Sequence, residues 1–122
     1  MPYLQKSSAY KTDNGFSLKQ NHVHEVLGSV RFAQTKTNPH NHRFTAITSQ
    51  AIPVSGNTHI HECRFCSDYY EEHFHEFSGR TSSAIPVGDG RHVHFISSVT
   101  FVQEGHCHEF RMATLINDPI GD

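Results

Sequence analysis

At 122 residues, 35% of them hydrophobic and 18% charged, the chain has the size of one domain with a modest core. Such a composition leads us to expect support from metal ions, from self-association, or from both. The net charge of −2 carries no single-sign block, which argues against a nucleic-acid partner, and no apolar run approaches the ~18 residues of a membrane span.

Residues 1–18 form the first segment, expected to be a polar N-terminal arm, with residues 19–122 as a single repeat-built β domain. The opening Met1-Pro-Tyr-Leu-Gln-Lys6 lacks the apolar centre of a signal peptide. Cytoplasmic residence is therefore the default expectation, with a spore or cell-surface assembly left open. Three cysteines, an odd number, fit reduced thiols better than a disulfide framework.

From residue 22 onward the chain is organised by histidine. All twelve histidines fall in six His-x-His triplets: His22/His24, His40/His42, His59/His61, His73/His75, His92/His94 and His106/His108. Chance placement would give on the order of one such triplet. In a β-strand, residues i and i+2 project from one face about 6–7 Å apart, so each triplet presents two imidazoles to the same side.

From His40 the triplet starts alternate by 19 and 14 residues, a repeat of 33. Phe44, Phe77 and Phe110 keep that register, as do Thr48, Thr81 and Thr114, and Ala51-Ile-Pro-Val54 returns as Ala84-Ile-Pro-Val87. The first gap is longer by four residues, an insertion around 35–39. Period repetition of this kind means one supersecondary unit used several times. The segments are rich in Val, Ile, Phe and Thr, and breakers such as Ser55-Gly-Asn57, Gly88-Asp-Gly90 and Glu104-Gly105 separate them. The fold class expected is all-β: an antiparallel meander of six short strands with a pseudo-threefold repeat, closed into a barrel- or prism-like object, with the triplets at 40, 73 and 106 near one end and those at 22, 59 and 92 near the other.

Parity fixes which way the imidazoles point. Two residues beyond each second histidine stand Val26, Phe44, Cys63, Phe77, Ile96 and Phe110, all on the histidine face. Glu25, Arg43, Glu62, Glu76 and Glu109 occupy the opposite face. The histidines should thus point inward beside the core, with those charges on the surface. Phe74, Val93, Phe95, Val99 and Phe101 break the pattern and imply an outer face partly covered by the arm or by another subunit.

Inward imidazoles need partners, either hydrogen bonds (the threonines of the repeat among them) or metal. Six triplets in register favour metal. Imidazole suits transition metals; zinc fits first, with copper, nickel, cobalt or iron as alternatives. Three triplets about a pseudo-threefold axis would give sites of three or six donors, and two adjacent triplets would give four. Cys63 shares the histidine face, so a mixed site with His59 and His61 is conceivable. Ile96 and Val99 stand where Cys63 and Cys66 do one repeat earlier, which favours small buried hydrophobes instead. Cys107 should point outward.

The triplets, together with His73-Phe-His-Glu-Phe-Ser-Gly-Arg-Thr81, resemble the YmaF family of small bacterial proteins, in which a Phe-x-Gly-x-Thr element follows His-x-His. Units starting at His40 and His106 match except at the glycine, where Ala46 and Met112 stand. The resemblance covers about residues 21–116 and implies a histidine-rich, metal-binding domain without implying an activity.

The function expected is a non-catalytic transition-metal-binding protein, its ions serving structure, storage or buffering. A self-assembling structural subunit, forming a homo-oligomer, shell or filament, is the alternative. A metal-dependent enzyme of cupin-like chemistry is a third class, disfavoured because the triplet repeats without the asymmetric glutamate and histidine of such sites.

Overall fold

The computed structural model describes residues 9–11, 17–19, 21–34 and 36–121. Among them every element is a strand: β1 (Ala9–Lys11), β2 (Ser17–Lys19), β3 (Glu25–Ser29), β4 (Arg43–Ile47), β5 (Ile52–Val54), β6 (Thr58–Ile60), β7 (Glu62–Cys66), β8 (Glu76–Arg80), β9 (Ile85–Gly88), β10 (Arg91–Val93), β11 (Phe95–Val99) and β12 (Glu109–Ala113). None is a helix long and apolar enough to cross a membrane. The expected all-β, antiparallel class holds, but no closed barrel is found among the described residues. The strands form six separate two-stranded antiparallel ladders.

Three of these ladders are five-residue hairpins, β3–β4, β7–β8 and β11–β12, and each strand starts on the residue after a His-x-His triplet. The shorter β5–β6 and β9–β10 hairpins grow from the two Ile-Pro-Val repeats. Each proline sits in a three- or four-residue strand of a two-stranded ladder, where one lost donor is tolerated. The β1–β2 pair lies in the stretch expected as an arm except for Lys19, which falls just past it; the rest of that stretch lies outside the described residues.

Backbone hydrogen bonds join successive long hairpins at both ends. Ser49 N–H donates to Glu62 and Asp68 N–H to Arg43, linking the first hairpin to the second. Ser82 to Phe95 and Phe101 to Glu76 link the second to the third. Leu115 to Glu25 and Arg31 to Glu109 link the third back to the first. The long hairpins are thus joined by bonds at strand ends and by the isolated bridges Phe44–Ser67 and Val30–Phe110, and no ladder is continuous between them.

The core is the shared inner face. Val26, Phe44, Cys63, Phe77, Ile96 and Phe110, the six positions given by parity, are all buried, joined by Val30, Phe65 and Met112. Phe65, which sequence parity also allows, stacks on Phe44 with centroids 3.8 Å apart and planes 6° apart. Gly28 lies opposite Phe44 in register, and a Cβ there would meet the Phe44 ring at 2.4 Å. The missing side chain is what lets the ring lie flat across the strand. Cys63 is the buried hydrophobe expected, whereas Cys66 is not: it falls on the outer face of β7, exposed, its thiol directed at Glu76. Residues an even number apart share a face of a strand, and Cys66 is three beyond Cys63. Val99, its counterpart, is exposed for the same reason, as are Phe95 and Phe101.

Candidate metal centres

Because each long hairpin is antiparallel, its two triplets lie at opposite ends. His24 pairs across the ladder end with Thr48, and His42 with Val30, six residues further along the strand. That separation is on the order of 20 Å. The twelve histidines therefore sort into two groups of six, one at each end of the core. The first holds His22, His24, His59, His61, His92 and His94, with a nitrogen of each within 4.8 Å of all the others. In the second, His40, His42, His73, His75 and His108 satisfy the same distance. His106 completes it, its Nε2 lying 3.0 Å from that of His40 and 3.1 Å from that of His75.

The second histidine of each triplet is fully enclosed: His24, His42, His61, His75, His94 and His108 are 0–1% exposed. Each aims one nitrogen at a main-chain carbonyl of the neighbouring hairpin. In the first group Nδ1–H of His24 donates to Leu115 O, of His61 to Ser49 O and of His94 to Ser82 O, all at 2.8 Å. In the second, His42 donates to Asp68 O (2.9 Å), His75 to Phe101 O (3.1 Å) and His108 to Arg31 O (2.8 Å). A carbonyl can only accept, so Nδ1 carries the proton and Nε2 presents a bare lone pair in the neutral ring.

The hydroxyls of the repeat set the backbone behind these rings. Thr48, Thr81 and Thr114 accept from the main-chain N–H of His24, His61 and His94 through Oγ1. Ser67 and Thr100 do the same for His75 and His108. The threonine register of the sequence is thus accounted for. Ser67 and Thr100, one repeat apart, went unnoticed in the sequence because serine and threonine differ in name and share only the hydroxyl. Tyr70, stacked on His40 at 4.7 Å, was also missed, since the equivalent Gln103 is not aromatic.

The Nε2 atoms converge without partners that could satisfy them. Those of His42, His61, His73, His94 and His108 are buried and make no hydrogen bond. His40 and His106 each give their Nδ1 proton to a carbonyl, of Asn38 at 2.8 Å and Glu104 at 3.2 Å. Their two Nε2 lone pairs then face each other at 3.0 Å, and that of His75 faces His106 at 3.1 Å. Such contacts repel unless a cation sits between them, and burial of unpartnered polar nitrogen is costly.

Burial disfavours the charged rings, and neighbouring imidazoles disfavour them further. His22, His75, His92 and His108 are pushed down to about 4. His24, His42, His59, His61 and His94 are lowered as well, chiefly by burial. A lowered value keeps the ring neutral, the form that binds metal.

Neither group includes a carboxylate or a thiolate among the described residues. Glu25, Glu62, Glu76 and Glu109 are exposed on the outer face, as parity requires, and Cys63 lies in the hydrophobic core rather than with His59 and His61.

A family model, YmaF, described as spore germination protein GerY/YamF, matches residues 19–116. No curated protein and no solved structure matches the chain.

Proposed function

The chain belongs to the YmaF family, and from the geometry of its histidines we propose that it is a non-catalytic transition-metal-binding protein whose ions hold the three long hairpins together. The observation that carries this reading is the second group, where Nε2 lone pairs of His40, His75 and His106 oppose one another with every Nδ1 proton already committed. The twelve histidines serve as ligands, six at each end. Each group draws one triplet from every hairpin, so an ion at either end ties all three into a three-sided, prism-like closure that strand-end bonds and isolated bridges alone support weakly. A structural role follows more directly than catalysis, since among the described residues no carboxylate belongs to either group, and the exposed Asp68 meets His42 at Nδ1 rather than at the convergent Nε2.

The family's description names spore germination, which favours a spore setting over the cytoplasmic default. Exposed Leu27, Ile47, Phe95 and Phe101 favour a second reading, assembly into an oligomer or filament through the outer faces of the hairpins. Mass measurement with and without chelator separates a metal-stabilised monomer from a metal-dependent assembly.

The test of metal binding is elemental analysis of untagged protein, paired with thermal unfolding before and after EDTA. Bound first-row ions and a melting temperature lowered by chelation support the reading. Protein that takes up no ion and melts identically in EDTA overturns it.

A further inference from the structure

We propose that each histidine group is a six-coordinate octahedral site with every position filled by imidazole, so that the chain holds two divalent ions of the class that favours octahedral nitrogen, namely nickel, cobalt or iron(II), in preference to tetrahedral zinc. This rests on the metal-binding reading above and adds coordination number, stoichiometry and ion class to it.

The donor spacing is the first argument. The Nε2 atoms of His22, His59 and His92, one from each hairpin unit, form a triangle with edges of 3.1, 3.0 and 3.0 Å. His24 stands 3.2 Å from His92. In an octahedron neighbouring donors are separated by √2 times the bond length, so edges of 3.0–3.2 Å correspond to bonds of about 2.1–2.3 Å, just above the zinc–imidazole length of about 2.0–2.1 Å. Opposite donors would then lie about 4.2–4.5 Å apart, inside the 4.8 Å envelope that all six occupy. A tetrahedron with the same edges needs bonds of about 1.8–2.0 Å, too short for imidazole on zinc, and leaves two of six donors unused.

Ring packing is the second argument, and it distinguishes an octahedron from a trigonal prism. In a prism each donor of one triangle faces a single donor of the other; in an octahedron the triangles are staggered and each faces two. His22 packs against His24 at 5.1 Å and His61 at 4.9 Å, and against its own triangle at His59 and His92. The ring left opposite it is His94. The same rule makes His59 opposite to His24, since His59 packs on His61 and His94. At the other end His40 packs on His42, His73, His106 and His108, which leaves His75 opposite. Both ends are therefore staggered in the same sense.

The protein dictates this geometry rather than adapting to it, because each enclosed ring is fixed by a carbonyl at Nδ1. Structural zinc sites are almost always four-coordinate. Among ions that accept six nitrogens, affinity rises from iron(II) through cobalt to nickel. A filled shell has no open position for water or substrate, which agrees with a non-catalytic role.

The test is to express the full chain in cobalt-supplemented medium, count the ions and record the visible spectrum. Two cobalt ions per chain with the weak pink bands of octahedral cobalt(II), and displacement of bound zinc by equimolar nickel, are the expected results. Cobalt bound with the intense blue bands of a tetrahedral site, or zinc resisting nickel, overturns the octahedral assignment while leaving metal binding intact. A chain that takes up no cobalt, nickel or zinc overturns metal binding itself.

Discussion

The Nδ1–H of His24 donates to the carbonyl of Leu115, 91 residues later in the chain, at 2.8 Å. That one bond fixes the tautomer of a ring in the first hairpin from a residue that follows the last. Its equivalents, His61 to Ser49 and His94 to Ser82, make the same contact between successive units. Five predictions follow from the arrangement, beginning with the ligands themselves.

Replacing His61 with alanine removes one of six donors at one end only. Because the two groups stand on the order of 20 Å apart, the variant should lose one of two ions and keep the other. Elemental analysis of H61A and of H108A, each showing half the metal of the parent, would check this; loss of both ions in either variant would contradict independent sites.

Acid should dissolve the fold through the same rings. The folded-state values of His22, His75, His92 and His108 lie at about 4, below the ordinary 6.5. A lowered value means that the unfolded chain binds more protons in this window, so the stability these rings contribute is fully present above about 6.5 and fades as pH falls toward about 4. Protons compete with metal over the same interval. Melting curves from pH 7.5 to 4 should fall steeply below 6.5, and a flat profile would contradict the assignment of neutral, enclosed imidazoles.

Gly28→Ala places a methyl 2.4 Å from the Phe44 ring. Phe44 is held from its other side by Phe65, so it has little room to withdraw. We expect a loss of about 1–3 kcal/mol, the usual range for overpacking. Urea unfolding measures it, and a variant as stable as the parent would mean that the stack shifts freely.

At Thr81 a hydroxyl accepts from the buried main-chain N–H of His61 at 3.0 Å and donates to Ser82 O at 2.8 Å. Thr81→Val keeps the shape and orphans that donor, at a cost of about 1–3 kcal/mol. Thr81→Ser should recover most of the loss. A Thr81→Val variant as stable as the parent would assign the position to packing alone.

The turn at Glu71-Glu72 joins Tyr70 to His73 with φ of 50° and 65°, both left-handed. Its counterpart one repeat later, Glu104-Gly105, has glycine in the second position at φ 74°. A non-glycine residue there costs about 1–2 kcal/mol, so Glu72→Gly should raise the melting temperature, offset in part by the glycine's greater freedom when unfolded. A lowered melting temperature would show that Glu72 makes a contact outweighing its backbone strain.

What the amino-acid sequence determined by itself is local in origin. Pairing of imidazoles at i and i+2, their inward direction, the six core positions from Val26 to Phe110 and the 33-residue unit all follow from the two-residue alternation of a strand and its repetition. The same alternation, applied to Cys66 as well as Cys63, would have placed that thiol outside, where it lies. The alternation of 19 and 14 residues also divides the triplets at 22, 59 and 92 from those at 40, 73 and 106 and, in antiparallel strands, sends the two sets to opposite ends, the grouping that the structure shows. Tertiary structure decided how closely the six imidazoles of each set meet, because that depends on three hairpins coming together. It also decided which nitrogen each ring presents, since the carbonyls that hold Nδ1 belong to a neighbouring hairpin, and no local period records the neighbour.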